Sequence, residues 1–203
     1  LTASLYAVDL QGRQRSLVSA PGVLDIHDVG RAAAVFNPEK LLWLNHHYIK
    51  TGDPERLSVL LEDFIAKKGY TPHEREYVKN VVVDVRERTK TLVEMVDFAD
   101  FYFRDTDAAE DLKTQFYTAD IALVFKTIKE RFAQADPWDK ARLEETMKGI
   151  LEESNLKFKT IAQPMRVALT GKTVSPGLFE IMITLGKDTV LARLEKALSH
   201  MQS

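Results

Sequence analysis

The stretch DPERLSVLLEDFIAKKG (residues 53–69) decides the fold class of this chain. Asp53 followed by Pro54 is typical of a helix start, because the Asp side chain caps the first turn and proline is tolerated there. Apolar residues then recur at helical spacing, and two lysines before Gly69 indicate the end of the helix. The stretch therefore predicts one amphipathic helix, and much of the chain after it repeats the pattern.

Similar signals predict further helices toward the C-terminus. A capping box at residues 71–74 is expected to begin one long helix, whose apolar stripe continues as far as Val96. Further helices are expected at about Ile121–Phe132, from Asp136-Pro137 to Leu151, over Lys159–Leu169, from Ser175-Pro176 to Gly186 and from Asp188 onward.

The fold class expected is all-α after Asp25, with at least seven helices and no substantial sheet. A short irregular or extended lead-in precedes it, where weak alternation over Leu5–Leu10 is followed by a predicted turn at residues 12–15. The acidic segment Arg104–Asp111 has few apolar residues and is the expected joint between two helical groups. Trp43 and Asn45 stand among leucines and are expected to be structural, with Trp43 in the core.

Composition limits the function classes. The chain has 203 residues, of which 45% are hydrophobic and 29% are charged, as in a soluble protein of one or two domains. It has no apolar run of about 18 residues, so no membrane span is expected. The absence of cysteine excludes disulfides and thiolate metal sites and fits a cytoplasmic protein. The histidines do not converge, so no metal site is expected.

The charge is unevenly distributed although the net charge is only −2. Residues 94–120 carry eight acidic and two basic side chains, whereas residues 154–172 carry four basic and no acidic ones. A segregated basic patch of this kind can attract phosphates. From charge alone, a solvated basic face is the simpler interpretation.

The segment PMRVALTGKTVSPGLFE (residues 164–180) contains GKT, the end of a phosphate-binding loop motif. That motif requires a glycine five residues before its Gly-Lys pair, and Arg166 stands there instead. A helix rather than a strand is predicted before it. Gly171 is therefore expected to end a helix and Lys172 to be solvated. No catalytic arrangement is apparent, and no catalytic residue is predicted.

Two long stretches resemble the C-terminal part of bacterial glutamyl-tRNA synthetases. They are AVFNPEKLLWLNHHYIK (residues 34–50) and AQPMRVALTGKTVSPGLFEIMITLGKDTVLARLEKAL (residues 162–198). They occur in the order found in that family, and the helical pattern between them agrees. The resemblance extends from about Leu24 to the C-terminus, whereas residues 1–23 do not match the family.

The resemblance implies a fragment built as a two-part helical cage that binds the anticodon. Residues 1–51 would end the stem-contact region, residues 52–100 would form the first anticodon-binding subdomain, and residues 101–203 the second. The implied partners are a tRNA with a glutamate anticodon stem-loop and the fragment's own catalytic domain. The catalytic half, which uses ATP with Mg, would be absent, so the fragment should bind no cofactor and be inactive alone. A cytoplasmic monomer that contacts no membrane is expected.

The resemblance also implies roles for individual residues. Arg88 occupies the position that inspects the third anticodon base, and the predicted long helix places it at the edge of the valine stripe. The alternative is that Arg88 only snorkels along that stripe. Arg166 matches a second RNA-contacting arginine, and Lys148 is assigned a phosphate contact. The remaining expected RNA-binding residues are Lys172 in the basic patch and, beside the anticodon, Ser175 and Leu178.

Two physical expectations accompany these roles. The start of the helix after Ser175 should offer free N–H groups to a phosphate or a base carbonyl, and Leu178 should offer an apolar surface to an unstacked base. Lys148, Arg166 and Lys172 should share one accessible face with that helix start. A different class of function stays open: a helical protein-interaction module without RNA binding, whose basic patch contacts an acidic surface.

Overall fold

The computed structural model of the protein describes residues 3–8, 14–20, 38–71 and 73–201. Within these ranges the chain forms two β-strands and eleven α-helices. The strands are β1 (Ala3–Val8) and β2 (Gln14–Ala20). The helices are α1 (Pro38–Thr51), α2 (Pro54–Lys67), α3 (Arg75–Val85), α4 (Leu92–Phe98), α5 (Asp100–Phe103), α6 (Glu110–Phe116), α7 (Ala119–Ala133), α8 (Lys140–Ser154), α9 (Phe158–Thr170), α10 (Leu178–Leu185) and α11 (Lys187–Met201). The all-α prediction is confirmed for the described residues after Asp25.

The lead-in is extended, as expected. β1 and β2 pair antiparallel, with Ala3 opposite Ala20 and Val8 opposite Gln14, and the register is irregular after Leu5. The predicted turn at residues 12–15 lies partly inside β2 and is therefore wrong in its second half. Residues 21–37, the middle of the expected stem-contact tail, lie outside the described ranges.

The chain divides into two compact units, Leu1–Tyr48 and Ile49–Ser203. Within the second unit, α2 packs against α3 and α4, while α11 packs against α7, α9 and α10. Helix α10 also contacts α3, α8 and α9, so it links the early helices to the late ones. The division of these residues into subdomains at Asp100 stays a prediction.

Helix α2 follows the sequence signals closely. Its N-cap is Asp53, whose carboxylate accepts a hydrogen bond from the Glu55 amide at 3.2 Å, and Pro54 occupies the first turn. Gly69 follows the helix in the left-handed conformation with φ 76°. The apolar stripe is buried, with Leu61 and Ile65 at its centre. The capping residues and the spacing of leucines were therefore sufficient to predict this helix.

The single long helix expected as far as Val96 is wrong. Helix α3 ends at Val85, where the Thr89 hydroxyl donates to the Val85 carbonyl oxygen at 3.2 Å. Helix α4 begins with its own cap, because the Thr91 hydroxyl accepts from the Glu94 amide at 3.0 Å. These local threonine bonds compete with a continuous helix. Arg88 consequently lies in an exposed turn between two helices and not beside a helical valine stripe.

Three predicted helix starts also need correction. The capping box at residues 71–74 does not form, because α3 begins after Glu74, which is its N-cap and makes no side-chain cap bond. The expected Asp-Pro and Ser-Pro starts lie before the N-caps of α8 and α10, which are Asp139 and Gly177. Proline fixes φ at a helix start, but it equally suits the loop that leads to one.

Trp43 is not a core residue, contrary to expectation, and is 65% exposed. Residues two apart on a helix face in different directions, so Asn45 is buried where Trp43 is not. The indole instead stacks on the His47 ring with their centroids 6.0 Å apart. The leucines beside Trp43 in sequence did not determine which way its own side chain points.

Arg193 on α11 is the most extensively bonded buried cation described, and it is only 6% exposed. Its Nη2 donates to the carbonyl oxygens of Phe101 at 2.7 Å and Arg104 at 3.1 Å. Its Nη1 donates to the Leu169 carbonyl oxygen in the last turn of α9. Carbonyls at helix ends lack helical donors and carry a partial negative charge, so one guanidinium satisfies several at once.

Asp84 on α3 provides a second buried polar connection. Its carboxylate accepts from the Tyr102 hydroxyl at 2.6 Å and from the Thr184 hydroxyl at 2.7 Å. Burial raises the pKa of this carboxyl, although the two hydroxyl donors oppose that shift. Because Thr184 lies on α10, these bonds join α10 to α3 and α5.

We expect Arg193→Met to lower the free energy of unfolding by about 3 kcal/mol, because it leaves buried carbonyls without donors. Urea unfolding of the full chain, followed by circular dichroism, measures this change. Arg56→Met, at an exposed arginine of α2, is the matched control and should change stability by less than about 0.5 kcal/mol. Equal effects of the two substitutions would contradict the structural role of Arg193.

Candidate nucleic-acid interface

The GKT segment begins at the end of helix α9. Gly171 is the C-cap in the left-handed conformation with φ 69°, and its amide donates to the Val167 carbonyl oxygen at 2.8 Å. A Cβ at this position would lie 3.1 Å from the Asp107 carbonyl oxygen, so the backbone approaches closely as well. The interpretation of Gly171 as a helix cap and not as part of a phosphate-binding loop is confirmed.

Arg166 on α9 holds the loop that connects α9 to α10. Its Nη1 donates to the carbonyl oxygens of Ser175 at 3.2 Å and Pro176 at 2.8 Å, and also to the Ser175 hydroxyl oxygen. The side chain is half-buried, and no carboxylate of the described residues lies within ion-pair distance of it. Part of its donor capacity is therefore used within the protein.

Arg88 carries the same charge as Arg166 and is near enough to affect its ionisation. Burial lowers the pKa of the Arg166 guanidinium, and the nearby positive charge of Arg88 lowers it further. Arg88 itself is exposed in the turn after α3, where its amide donates to the Val85 carbonyl oxygen at 2.9 Å. The two guanidinium groups and the loop at Ser175 and Pro176 thus form one positively charged corner, which we call the arginine corner.

Lys172 is only partly exposed and is ion-paired, whereas a solvated side chain was expected. Its ammonium lies 2.5 Å from the Asp100 carboxylate and donates to the Asp97 and Phe98 carbonyl oxygens at 3.2 and 3.3 Å. Burial of the Asp100 carboxyl favours its neutral form, but hydrogen bonds from Lys172 and Arg104 outweigh burial and lower its pKa. Lys172 therefore holds the GKT segment against the α4–α5 junction and has little freedom to contact a phosphate.

Ser175 and Leu178 are buried, with exposures of 3% and 5%. The expectation that Leu178 offers an apolar surface to a base needs correction, because its side chain packs into the interior in this structure. The Ser175 side chain bonds within the loop and does not cap α10, whose N-cap is Gly177. A ligand at this loop could therefore contact its backbone and the arginines beside it.

The start of α10 is already occupied by a carboxylate of the same chain. The Glu180 side chain folds back over Gly177, where an added Cβ would collide with its Oε2 atom. The Lys140 ammonium donates to Glu180 Oε1 at 2.6 Å, and this bond is the main cause of the lowered pKa of Glu180. A phosphate at this helix start would meet that carboxylate, so the expected phosphate site needs correction. The glutamate three residues after Gly177 was the sequence signal for this cap.

Lys148 on α8 is highly exposed, with 77% of its side chain accessible. Its only ion pair among the described residues is with Glu152, at a loose 3.8 Å. It lines a surface hollow together with Phe179, the residue after Leu178. The structure thus places Lys148 near the start of α10 and Arg166 on α9, in contact with the loop before α10, while Lys172 is held by Asp100. It stays a prediction that Lys148, Arg166 and Lys172 share one accessible face.

Two other kinds of site are absent from the described residues. No helix there is long and apolar enough to cross a membrane. No group of three or more His, Asp or Glu side chains there could hold a metal ion. The arginine corner is the candidate site, on the loop contacts of Arg166 and the exposed position of Arg88.

The comparisons with known families and proteins agree with one another. The family described as an anticodon binding domain matches residues 55–198. Glutamate–tRNA ligase 1 of Syntrophus aciditrophicus (strain SB) is 43% identical over 189 residues, which are 93% of this chain and 40% of that protein. Glutamate–tRNA ligase of Geotalea uraniireducens (strain Rf4) is 44% identical over 178 residues, 87% of this chain and 38% of that protein. The chain spans about 40% of the length of these curated relatives.

A solved structure shows the same fold. The crystal structure of a glutamate tRNA ligase from Elizabethkingia meningosepticum in complex with its amino acid superimposes with a TM-score of 0.76. The match covers 87% of this chain and 35% of that protein at 20% sequence identity. At this identity the similarity supports the arrangement of helices and nothing about individual side chains.

We expect Lys172→Ala to lower the free energy of unfolding at pH 7 by about 1–2 kcal/mol. This is less than the ~3–5 kcal/mol of a fully buried pair, because Lys172 still reaches solvent. A lowered folded-state pKa of Asp100 contributes stability above its ordinary pKa of 3.8, and acid removes that contribution. The difference in free energy of unfolding between Lys172→Ala and the parent should therefore become smaller below pH 4. Urea unfolding at pH 7 and at pH 3 measures this difference. Lys126→Ala, at an exposed lysine of α7, is the control. If the loss of stability in Lys172→Ala is the same at pH 3 as at pH 7, the ion pair with Asp100 does not stabilise the fold.

Proposed function

Because this chain belongs to the family of anticodon-binding domains, we propose that it recognises the anticodon of a tRNA as part of a glutamate–tRNA ligase. Such a ligase attaches glutamate to its tRNA with ATP, and groups outside these 203 residues would perform that chemistry. The arginine corner carries the proposal, since Arg88 is exposed, Arg166 bonds to loop carbonyls, and the charge of Arg88 is near enough to lower the pKa of Arg166. Two such cations favour an anionic or acceptor-rich ligand. The cytoplasmic, monomeric state and the pairing with a catalytic domain stay predictions.

Arg88 is assigned the base contact. Its side chain is exposed in a turn, so its planar fork is available to bind two acceptors on a base edge, such as those of the third anticodon base. In a turn it projects from the surface and does not follow a helical face, which favours this role over snorkelling.

Arg166 and Lys148 are assigned different roles in binding the RNA. Arg166 donates to the loop carbonyls of Ser175 and Pro176, so it supports the loop next to the base that Arg88 would read. Lys148 is exposed, and a lysine suits a phosphate because it acts as a point charge. Base discrimination would then depend on Arg88, and overall affinity on lysines such as Lys148.

We expect the full chain to bind an anticodon stem-loop RNA with an affinity that falls steeply with salt. Phosphate contacts release counterions, so three contacts to an unpaired loop should give a slope near −2 in log K against log salt concentration. Fluorescence titration at two or more salt concentrations measures this slope. If no RNA binds, the protein-interaction module with an acidic partner replaces the RNA proposal.

We expect Arg88→Gln to lower affinity for the stem-loop with the glutamate anticodon by about 5- to 150-fold, the equivalent of ~1–3 kcal/mol for a bidentate base contact. The affinity for a stem-loop that differs only at the third anticodon base should change much less. The difference in affinity between the two RNAs therefore becomes smaller. Lys148→Ala should instead weaken both RNAs about equally. Arg56→Gln is the matched control and should change neither. Equal losses on the two RNAs after Arg88→Gln would remove Arg88 from the base contact.

A further inference from the structure

The two arginines of the arginine corner belong to different helices and repel each other. Arg166 lies on α9, whereas Arg88 lies in the turn after α3. The charge of Arg88 is near enough to lower the pKa of Arg166. Like charges tend to move apart, so contacts elsewhere must hold the two segments at their separation. Helix α10 packs against both α3 and α9, and its contacts can therefore set this separation.

The turn that carries Arg88 is bound to the last residue of α3. The Arg88 amide donates to the Val85 carbonyl oxygen at 2.9 Å, and the Thr89 hydroxyl donates to the same oxygen at 3.2 Å. Val85 and Thr89 are both fully buried. A displacement of the end of α3 would therefore displace the turn with it. The residue immediately before Val85 is Asp84.

Asp84 joins this end of α3 to the last turn of α10. Its Oδ2 atom accepts from the Thr184 hydroxyl on α10 at 2.7 Å and from the Tyr102 hydroxyl on α5 at 2.6 Å. Hydrogen bonds to an ionised carboxylate are short and about twice as strong as those between neutral groups. Among the described residues no lysine or arginine forms an ion pair with Asp84, so these two hydroxyls are what hold it.

The other end of α10 is joined to Arg166. The Arg166 guanidinium donates to the carbonyl oxygen of Pro176, the residue before the N-cap Gly177. Helix α10 has eight residues, so about 12 Å separates its two ends. One short helix is thus connected to Arg166 at its start and, through Thr184 and Asp84, to the turn of Arg88 at its end.

We propose that Asp84 and Thr184 are positioning residues, whose hydrogen bond holds the Arg88 guanidinium where it meets the edge of the third anticodon base. The inference rests on the proposed function. Asp84 and Thr184 would act through Arg88 and would not contact the RNA themselves. A guanidinium that makes two bonds to a base edge must be held to within about 0.5 Å, whereas a phosphate contact tolerates larger displacements. Loss of this bond should therefore affect base discrimination more than overall affinity.

Thr184→Val removes the hydroxyl and keeps the shape of the side chain, so it tests this proposal in the full chain. The quantity to measure is the discrimination ratio, which is the affinity for the stem-loop with the glutamate anticodon divided by that for a stem-loop differing only at the third anticodon base. Thr184→Val should lower this ratio by about 2- to 30-fold, the range for residues that act on a site without touching its ligand. Thr184→Ser keeps the hydroxyl and should retain the ratio. When Arg88→Gln is already present, Thr184→Val should change the ratio little, because the base contact is already lost.

Tyr102→Phe is the matched control, because it removes the other hydrogen bond to the same Asp84 oxygen but on the side of α5. Both Tyr102→Phe and Thr184→Val should lower stability in urea, whereas Tyr102→Phe should leave the discrimination ratio unchanged. An equal decrease of the ratio in both variants, or a decrease by Thr184→Val that persists with Arg88→Gln, would overturn the positioning role. If Arg88→Gln lowers the ratio and Thr184→Val does not, the inference is wrong and the proposed function stands. If Arg88→Gln leaves the ratio unchanged, or if no RNA binds, both the inference and the base contact of Arg88 are wrong.

Discussion

The buried guanidinium of Arg193 is the interaction on which the positions of the late helices depend. It donates to carbonyl oxygens from α5, from the segment after α5 and from the last turn of α9. A hydrophobic residue could fill the same space, but it could not satisfy three carbonyls that converge on one point. Any displacement of α9 relative to α5 would leave a buried carbonyl without a donor. Arg193 thereby holds the last turn of α9 against α5, and Gly171 then ends that helix.

The loop after α9 is then held at successive points. Gly171 turns the chain in the left-handed conformation, and Lys172 joins it to Asp100 at the α4–α5 junction. Further along, Arg166 binds the carbonyls of Ser175 and Pro176. Each of these contacts uses backbone oxygens or a buried carboxylate, so the loop does not have to be ordered when a ligand arrives. A surface fixed in this way loses little conformational entropy on binding.

The sequence predicted the helices well where caps and apolar spacing coincided, as at Asp53 and Gly171. It failed at the break between α3 and α4, because the valines after the break continue in phase with those before it. Apolar periodicity indicates which face is buried, but it does not show whether one helix continues or two helices follow each other. The threonines that end one helix and begin the next were the missed signal. For the candidate site, Arg88, Arg166 and Lys148 were assigned from a family resemblance, and their roles stay predictions. The buried state of Leu178 and the ion pair of Lys172 could not be predicted, since both depend on partners distant in sequence.

The arginine corner has an electrostatic consequence for how binding and stability are linked. Arg88 lies near Arg166, and both the partial burial of Arg166 and this like charge disfavour its ionised form. The loop carbonyls compensate in part, since they accept from Arg166, but they carry no net charge and cannot neutralise two cations. A phosphate or the acceptor edge of a base would supply what the folded chain lacks at this point. Binding of the proposed RNA would offset part of the repulsion between the two arginines, which favours an acceptor-rich ligand over a neutral apolar one.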